Sequence, residues 1–221
     1  MGRDRKDYSI ADYLGLKPFA SASSAWGATR LPGHPGIMER GMEDHMADPA
    51  PARDVSVAPL IDADIPELVR LARAIWYAHY PSIITVEQIE YMLEQRYGGG
   101  VIREQLASGS AWWDKLLLDG DIVAFASSEP GEHPREMKLD KLYVRYDLRG
   151  RGYGGRLLRH VEQRARTLGY MRLYLQVNKN NRSAIDAYLR SGFSVSESAK
   201  FDIGGGFVMD DYIMSKALPR P

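Results

Sequence analysis

With 221 residues, of which 44% are hydrophobic and 26% charged, the chain is long enough for one packed domain with an additional tail. Equal numbers of basic and acidic residues (29 each) argue against general nucleic-acid binding, and the lack of cysteine excludes disulfides and a thiol nucleophile. The five histidines show no metal-ligand spacing and no apolar run approaches the roughly 20 residues of a membrane span, so we expect a cytoplasmic protein with no metal, membrane or nucleic-acid partner.

Residues 1–54 have the composition of an extension. Five prolines and several glycines interrupt them, and no apolar periodicity of the kind that forms a core persists. We therefore predict an irregular extension at 1–54 and a packed domain at 55–218.

The packed domain is predicted to alternate strands and helices. After a short strand at 55–59, two capping boxes, Asp64-x-x-Glu67 and Thr85-x-x-Gln88, each indicate the start of a helix. The second helix is expected to end at three consecutive glycines, 98–100, with one or two helical turns after them. Asp119-Gly120 joins two β-prone runs and predicts a hairpin. The remaining predicted elements are a strand at 136–145, a helix at 152–168, a strand at 172–177, a helix at 181–191, and a final hairpin at 193–200 and 207–216.

The stretch between the strand at 136–145 and its following helix suits a phosphate ligand. Glycines let an anion approach the backbone, and the first helical N–H groups have no partner within the helix. The P-loop is excluded because no Lys-Ser/Thr pair follows. Gly150-x-Gly152-x-x-Gly155 matches the dinucleotide fingerprint, but no carboxylate follows the next strand. A third pattern, Arg/Gln-x-x-Gly-x-Gly/Ala, is matched by Arg149–Gly154, and a glycine-rich turn without a ligand also remains open.

A second motif lies 32 residues beyond Arg149. Asn181-x-x-Ala184-x-x-x-Tyr188-x-x-x-Gly192-Phe193, together with the Arg149–Gly154 pattern, resembles the two signatures of the GNAT (Gcn5-related N-acetyltransferase) family. The resemblance covers about residues 55–217. It implies an α/β fold with a mixed, mostly antiparallel sheet, helices on both faces, and the order β-α-α-β-β-β-α-β-α-β-β.

The resemblance also implies acetyl-CoA as the cofactor and assigns residues to it. The pyrophosphate is expected on the loop, and the pantetheine arm between two strands that splay apart. The implied cofactor-binding residues are Leu142, Tyr143, Val144, Arg149, Gly150, Arg151, Gly152, Tyr153, Gly154, Gly155, Asn178 and Asn181.

Two side chains match the family's catalytic positions. Tyr188 matches the general acid that protonates the leaving thiolate, and a phenol with a pKa near 10 keeps its proton until that thiolate forms. Asp140 matches an acidic position where the family more often has Glu, and it is a candidate base or ammonium anchor. A structural hydrogen bond is the alternative for Asp140, and simple packing is the alternative for Tyr188.

Aromatic residues of the first helices are candidates for the acceptor site: Trp76, Tyr77, Tyr80 and Tyr91. Aromatic faces can bind an ammonium group, although a place in the core is the more ordinary use of such rings. The C-terminal segment 210–218 is similar to bacterial polyamine acetyltransferases, which favours a small amine or polyamine acceptor. A protein or peptide amine, and a non-catalytic acetyl-CoA sensor, remain alternatives. Exposed strand edges are compatible with a homodimer.

Overall fold

The computed structural model describes residues 53–219, so the predicted extension lies outside the described residues apart from Arg53 and Asp54. The helices of the described chain are α1 Ile65–His79, α2 Val86–Tyr97, α3 Gly99–Ser108, α4 Tyr153–Thr167 and α5 Arg182–Arg190. Its strands are β1 Val55–Pro59, β2 Trp112–Leu118, β3 Asp121–Pro130, β4 Glu136–Val144, β5 Arg172–Asn178, β6 Ser194–Gly204 and β7 Phe207–Ala217.

These strands form one sheet with the spatial order β1-β2-β3-β4-β5-β7-β6. Every neighbouring pair is antiparallel except β4 and β5, which are parallel. The helix α4 connects these two strands, as a parallel crossover requires. The predicted mixed, mostly antiparallel sheet is confirmed.

Apolar side chains cover both faces of the sheet. One cluster packs Leu157 and Val161 of α4 against Leu173 and Met214. The other packs α1, α2 and α3 against the opposite face, around Phe125. Alternation along β3, where Ala124 joins the first cluster and Phe125 the second, shows why its apolar run 122–126 is buried on both sides.

The local predictions near the first helices are partly wrong. Asp64 does not cap α1, because its carboxylate accepts from the Ile61 N–H at 2.8 Å and from Lys115 Nζ at 2.6 Å and closes a preceding 3₁₀ turn. Thr85 does cap α2, accepting from the Gln88 N–H at 3.2 Å. A full third helix follows Gly98, since buried Ile102 gives α3 a packing contact that outweighs its two glycines.

The hairpin prediction at Asp119-Gly120 is confirmed. Both residues have positive φ, 52° and 93°, as a two-residue turn between twisted antiparallel strands requires. No helix within residues 53–219 is long and apolar enough to cross a membrane.

Candidate active site

The two parallel strands separate and leave a gap in the sheet. They pair only at three positions, from Glu136↔Arg172 to Lys138↔Tyr174, although β4 continues to Val144 and β5 to Asn178. At the point of separation β4 carries a bulge, because Ser127 and Ser128 of β3 pair with Lys141 and Leu139 and leave Asp140 as the extra residue. A bulge bends its strand, which accounts for the divergence.

The end of β4 presents backbone groups to this gap. The N–H of Arg145 donates to the Val123 carbonyl on the β3 side at 2.9 Å. Successive amides of a strand point to opposite edges, so the N–H of Val144 points toward the gap and that of Leu142 does the same. Tyr143, by the same alternation, directs its amide toward β3, and its ring packs in the cluster beneath α1–α3.

A cavity of about 510 Å³ occupies the gap and the space beside it. The glycine loop lines one end through Arg149, Gly150, Gly152, Tyr153, Gly154 and Gly155, whereas Arg151 is exposed and does not line it. Gly150 and Gly152 have φ of 77° and 84°, so the loop conformation requires glycine there. No side chain caps the N-terminus of α4, which leaves its first amides directed at the cavity end.

His79 connects the glycine loop to α5 and was missed as a site residue. Arg149 Nη1 donates to His79 Nδ1 at 3.1 Å, and His79 Nε2 donates to Asn181 Oδ1 at 3.1 Å. Arginine can only donate, so the hydrogen-bond pattern assigns the ring proton to Nε2 of a neutral imidazole. Burial and the Arg149 charge lower the pKa of His79, which keeps it neutral.

Asn181 fills the role of helix cap. Its Oδ1 accepts from the Ala184 N–H at 3.4 Å, at the start of α5. Asn178 also lines the cavity, with its side chain turned to the Asn180 N–H at 2.9 Å. Both predicted cofactor residues therefore lie at the wall of the gap, and their ligand role stays a prediction.

Asp140 lies in a cluster of cations. Its side chain is 6% exposed and pairs with Arg96 at 2.6 Å, with Lys138 at 3.2 Å and with the adjacent Lys141. Burial alone would raise the pKa of Asp140, but these cations outweigh it and hold the pKa well below its usual range. A carboxylate stabilised in this way is a weak proton acceptor, so the geometry favours the structural alternative for Asp140.

Tyr188 lines the cavity from α5. Its ring packs 5.6 Å from that of Phe193, and burial raises the pKa of its phenol above the usual value. A phenol with a raised pKa stays protonated at neutral pH and donates its proton only to a strongly basic acceptor. The arrangement is therefore compatible with the predicted general acid.

The predicted acceptor residues separate into two groups. Trp76 and Tyr80 line the cavity, with ring centroids 4.5 Å apart, and the Tyr80 hydroxyl lies 3.1 Å from that of Tyr143. Tyr77 and Tyr91 do not line it. Tyr91 donates to the Ile203 carbonyl at 2.8 Å and packs against the β6–β7 hairpin.

A second cavity carboxylate, Asp211, was also missed. It lies on β7, is 5% exposed, and its Oδ1 atom is buried without a hydrogen-bond partner among residues 53–219. Burial raises the pKa of Asp211 to about 6. The sequence did carry one signal for Asp211. It lies two residues after Met209 in a predicted strand, and this spacing places its carboxyl group on the same apolar face.

The chain matches the model of the acetyltransferase (GNAT) family over residues 67–193, more than half of its length. It belongs to the GNAT family. The match includes both motifs of the gap, the glycine loop and the Asn181–Phe193 segment, and the enzyme is an acyltransferase of the N-acetyltransferase type.

Relatives and solved structures agree with this assignment. An uncharacterized N-acetyltransferase of Mycobacterium tuberculosis is 27% identical over 159 residues, which are 72% of this chain and 99% of the relative. The streptothricin acetyltransferase of Streptomyces lavendulae is 36% identical over 76 residues, or 34% of this chain and 40% of the relative. The structure of the PaiA N-acetyltransferase of Thermoplasma acidophilum in complex with coenzyme A has a TM-score of 0.63 and 21% identity, with 74% of this chain and 99% of that chain covered.

Within this GNAT fold the gap separates two kinds of wall. Glycines, Arg149 and the N-terminus of α4 surround one half, which is suited to an anionic ligand. Aromatic rings and Asp211 surround the other half, on the side of α1 and α2. Val144, the last residue of β4, also lines the cavity.

Proposed function

We propose that this enzyme transfers the acetyl group of acetyl-CoA to a primary amine of a small molecule, by direct attack in a ternary complex. The observation that supports the proposal most strongly is the gap between β4 and β5, which leads from the glycine loop past Val144 to the aromatic half of the cavity. Both substrates can reach one point from opposite sides, so no enzyme nucleophile is needed.

The cofactor half suits the three parts of acetyl-CoA. The pyrophosphate is assigned to Arg149 and the amides of Gly150–Gly155, where positive-φ glycines and the dipole of α4 favour an anion. The pantetheine arm is assigned to the free β4 edge at Leu142 and Val144. The Val144 N–H points into the gap and is suited to polarise the thioester carbonyl as an oxyanion-hole donor.

The chemical steps then use few residues. The neutral amine attacks the thioester carbon, the C–S bond breaks, and the departing thiolate takes the proton of Tyr188. Burial keeps that proton on the phenol at neutral pH, and the transfer takes place as the C–S bond breaks, while the sulfur is more basic than a free thiolate with a pKa near 8.5.

A small-molecule amine fits the volume of about 510 Å³, which the pantetheine arm and the acceptor share. Polyamines remain among the candidates because of the C-terminal similarity. Two partial relatives also carry the names of small-molecule acetyltransferases, for streptothricin and for L-methionine sulfoximine or sulfone.

The test is a thiol-release assay with acetyl-CoA against polyamines, monoamines, amino acids, streptothricin and a set of N-terminal peptides, with mass spectrometry of the products. We expect acetylation of a small amine and a mass increase of one acetyl group. Tight acetyl-CoA binding without thiol release for any amine would support the sensor alternative instead. Turnover with peptides alone would contradict the small-molecule acceptor.

A further inference from the structure

The carboxyl group of Asp211 lies beside the gap. Asp211 pairs with Asn178, the last residue of β5. The gap lies on one side of β5, and β7 is the neighbour of β5 on its other side. Asp211 is therefore one strand away from the place where the β4 backbone faces the gap.

This carboxyl group has no partner to neutralise it. Its Oδ1 atom is buried and receives no hydrogen bond from residues 53–219. Lys179, whose charge acts on Asp211, pairs instead with the adjacent Asp210. A buried carboxylate oxygen without a donor is costly for the fold, so its position beside the gap points to a donor that arrives with a ligand.

Asp211 faces the acceptor half of the cavity. Side chains alternate along a strand, and Met209 packs into the cluster beneath α1–α3, so Asp211 points to that same face. Burial raises the pKa of Tyr80 in that cluster, and the charge of Asp211 raises it further. The other charged groups that act on Asp211 are Arg96 of α2, Lys179 after β5, and Asp210 on its own strand.

The second cavity carboxylate is already neutralised. Among the described residues that line the cavity, Asp140 and Asp211 are the carboxylates, and Asp140 is held by Arg96, Lys138 and Lys141. Only Asp211 is left to meet a cationic ligand.

We propose that Asp211 binds the ammonium group of the acceptor and accepts its first proton. The assignment rests on the proposed acetyl transfer. The ammonium N–H bond breaks toward Asp211, and the neutral amine forms the C–N bond with the thioester carbon. After attack the nitrogen loses a second proton, which restores Tyr188 once Tyr188 has protonated the thiolate. One proton thus leaves through Asp211 to solvent for each acetyl group transferred.

The basicity of Asp211 suits this role. Burial raises its pKa to about 6, closer to neutral pH than that of an ordinary carboxyl group. A base in that range is still ionised at pH 7 and holds a proton better than Asp140 does.

The same charges favour an acceptor with a single ammonium group. The described acceptor half offers one free carboxylate beside Arg96, and it also contains aromatic and apolar residues: Trp76, Tyr80, Tyr143, Phe201, Ile203 and Met209. A second ammonium of a polyamine would meet no carboxylate there, whereas an apolar body would lie against rings. The acceptor class is therefore a primary monoamine with an apolar body.

The experiment compares Asp211→Asn with Asp210→Asn, a matched change at the neighbouring carboxylate that pairs with Lys179. The probes are 2-phenylethylamine, hexylamine and spermidine. Steady-state kinetics with acetyl-CoA give kcat/KM, and calorimetry gives amine binding to the enzyme–coenzyme A complex. For Asp211→Asn we expect kcat/KM for the monoamines to fall about 100-fold or more and the acid limb of the pH profile near pH 6 to disappear. Monoamine binding is expected to weaken about tenfold and the Kd of acetyl-CoA to stay within about twofold. Asp210→Asn should stay within about twofold of wild type throughout.

Several results would overturn the assignment. Unchanged kcat/KM and amine binding in Asp211→Asn would remove Asp211 from the site, as would the absence of amine binding by the wild-type complex. A spermidine kcat/KM that exceeds those of both monoamines would overturn the single-ammonium acceptor. Wild-type enzyme that binds the monoamines through Asp211 but acetylates none would refute the proposed transfer and leave the ammonium site standing.

Discussion

Tyr188→Phe removes one oxygen atom from the wall of the cavity and tests the proposed general acid. The ring contact with Phe193, at 5.6 Å between centroids, does not involve the hydroxyl and survives the change. Only burial and the charge of the neighbouring Tyr80 act on the phenol pKa, so no hydrogen-bond network depends on this hydroxyl. We expect the free energy of unfolding to change by less than about 0.5 kcal/mol.

The expected kinetic loss follows from the two pKa values. A free thiolate has a pKa near 8.5 and an ordinary phenol one near 10, so transfer to the thiolate is already uphill by about 2 kcal/mol, and burial increases that difference. The proton therefore moves only as the C–S bond breaks and the sulfur, not yet solvated, is more basic. Loss of a general acid typically costs a factor of about 10² to 10⁴, or about 3 to 5 kcal/mol of transition-state stabilisation.

The assay is thiol release at saturating acetyl-CoA with the best amine of the panel, together with a direct measurement of the acetyl-CoA Kd. We expect kcat to fall by at least about 100-fold and the Kd to change by less than about threefold. A thioester with a more acidic thiol should restore part of the rate, because its thiolate leaves without a proton. A kcat within about fivefold of wild type, or no recovery with that thioester, would show that Tyr188 only packs.

Three further changes test the remaining parts of the site. Gly152→Glu should abolish coenzyme A binding, measured by calorimetry, because it places a carboxylate at the N-terminus of α4. The control is Gly169→Glu, at a position of similar positive φ (82°) outside the cavity. Both changes should lower the free energy of unfolding by about 1–2 kcal/mol, but Gly169→Glu should keep coenzyme A binding. Asp140→Asn leaves its three cations without their buried carboxylate and should lower the free energy of unfolding in urea by about 3 to 5 kcal/mol; an unchanged midpoint would contradict the structural role. Asp211→Asn should instead stabilise the protein at pH 7, by at most about 3 kcal/mol, because a folded-state pKa raised to about 6 means that the ionised carboxyl destabilises the fold there. That gain should shrink as the pH falls through 6 toward 4, where the wild-type carboxyl is protonated; a gain independent of pH would contradict the assignment.

The local backbone conformations beside the gap were predictable from the sequence. The glycine loop depends on backbone conformations that only glycine adopts readily, and Asn181 caps the helix that it precedes. The order of strands and helices followed from periodicity and turn chemistry, as at Asp119-Gly120. Periodicity, caps and turns depend on residues that are only a few positions apart, so they can be recognised directly in the sequence.

The parts that depend on distant contacts were not predictable in the same way. His79 meets Arg149 and Asn181, which are 70 and 102 positions away along the chain. The capping box at Asp64 was wrong because Lys115, 51 positions away, competes for the carboxylate. Tyr91 satisfied an aromatic pattern, yet its hydroxyl is used by the β6–β7 hairpin. Each outcome was decided by a partner that only the folded sheet brings near.

The two cavity carboxylates, Asp140 and Asp211, have different roles that the amino-acid composition alone does not distinguish. Asp140 sits in a β-bulge among Arg96, Lys138 and Lys141, and these cations hold its pKa low and fix its position. Asp211 is also buried, but Lys179 pairs with the neighbouring Asp210, so burial dominates and the pKa of Asp211 rises. Asp140 therefore stabilises the bend that opens the gap. Asp211 lowers the stability of the fold, but it leaves a free carboxylate in the cavity that can accept a hydrogen bond from a ligand. Opposite signs of the stability change in Asp140→Asn and Asp211→Asn, measured at pH 7 on otherwise identical proteins, are the direct consequence of that division.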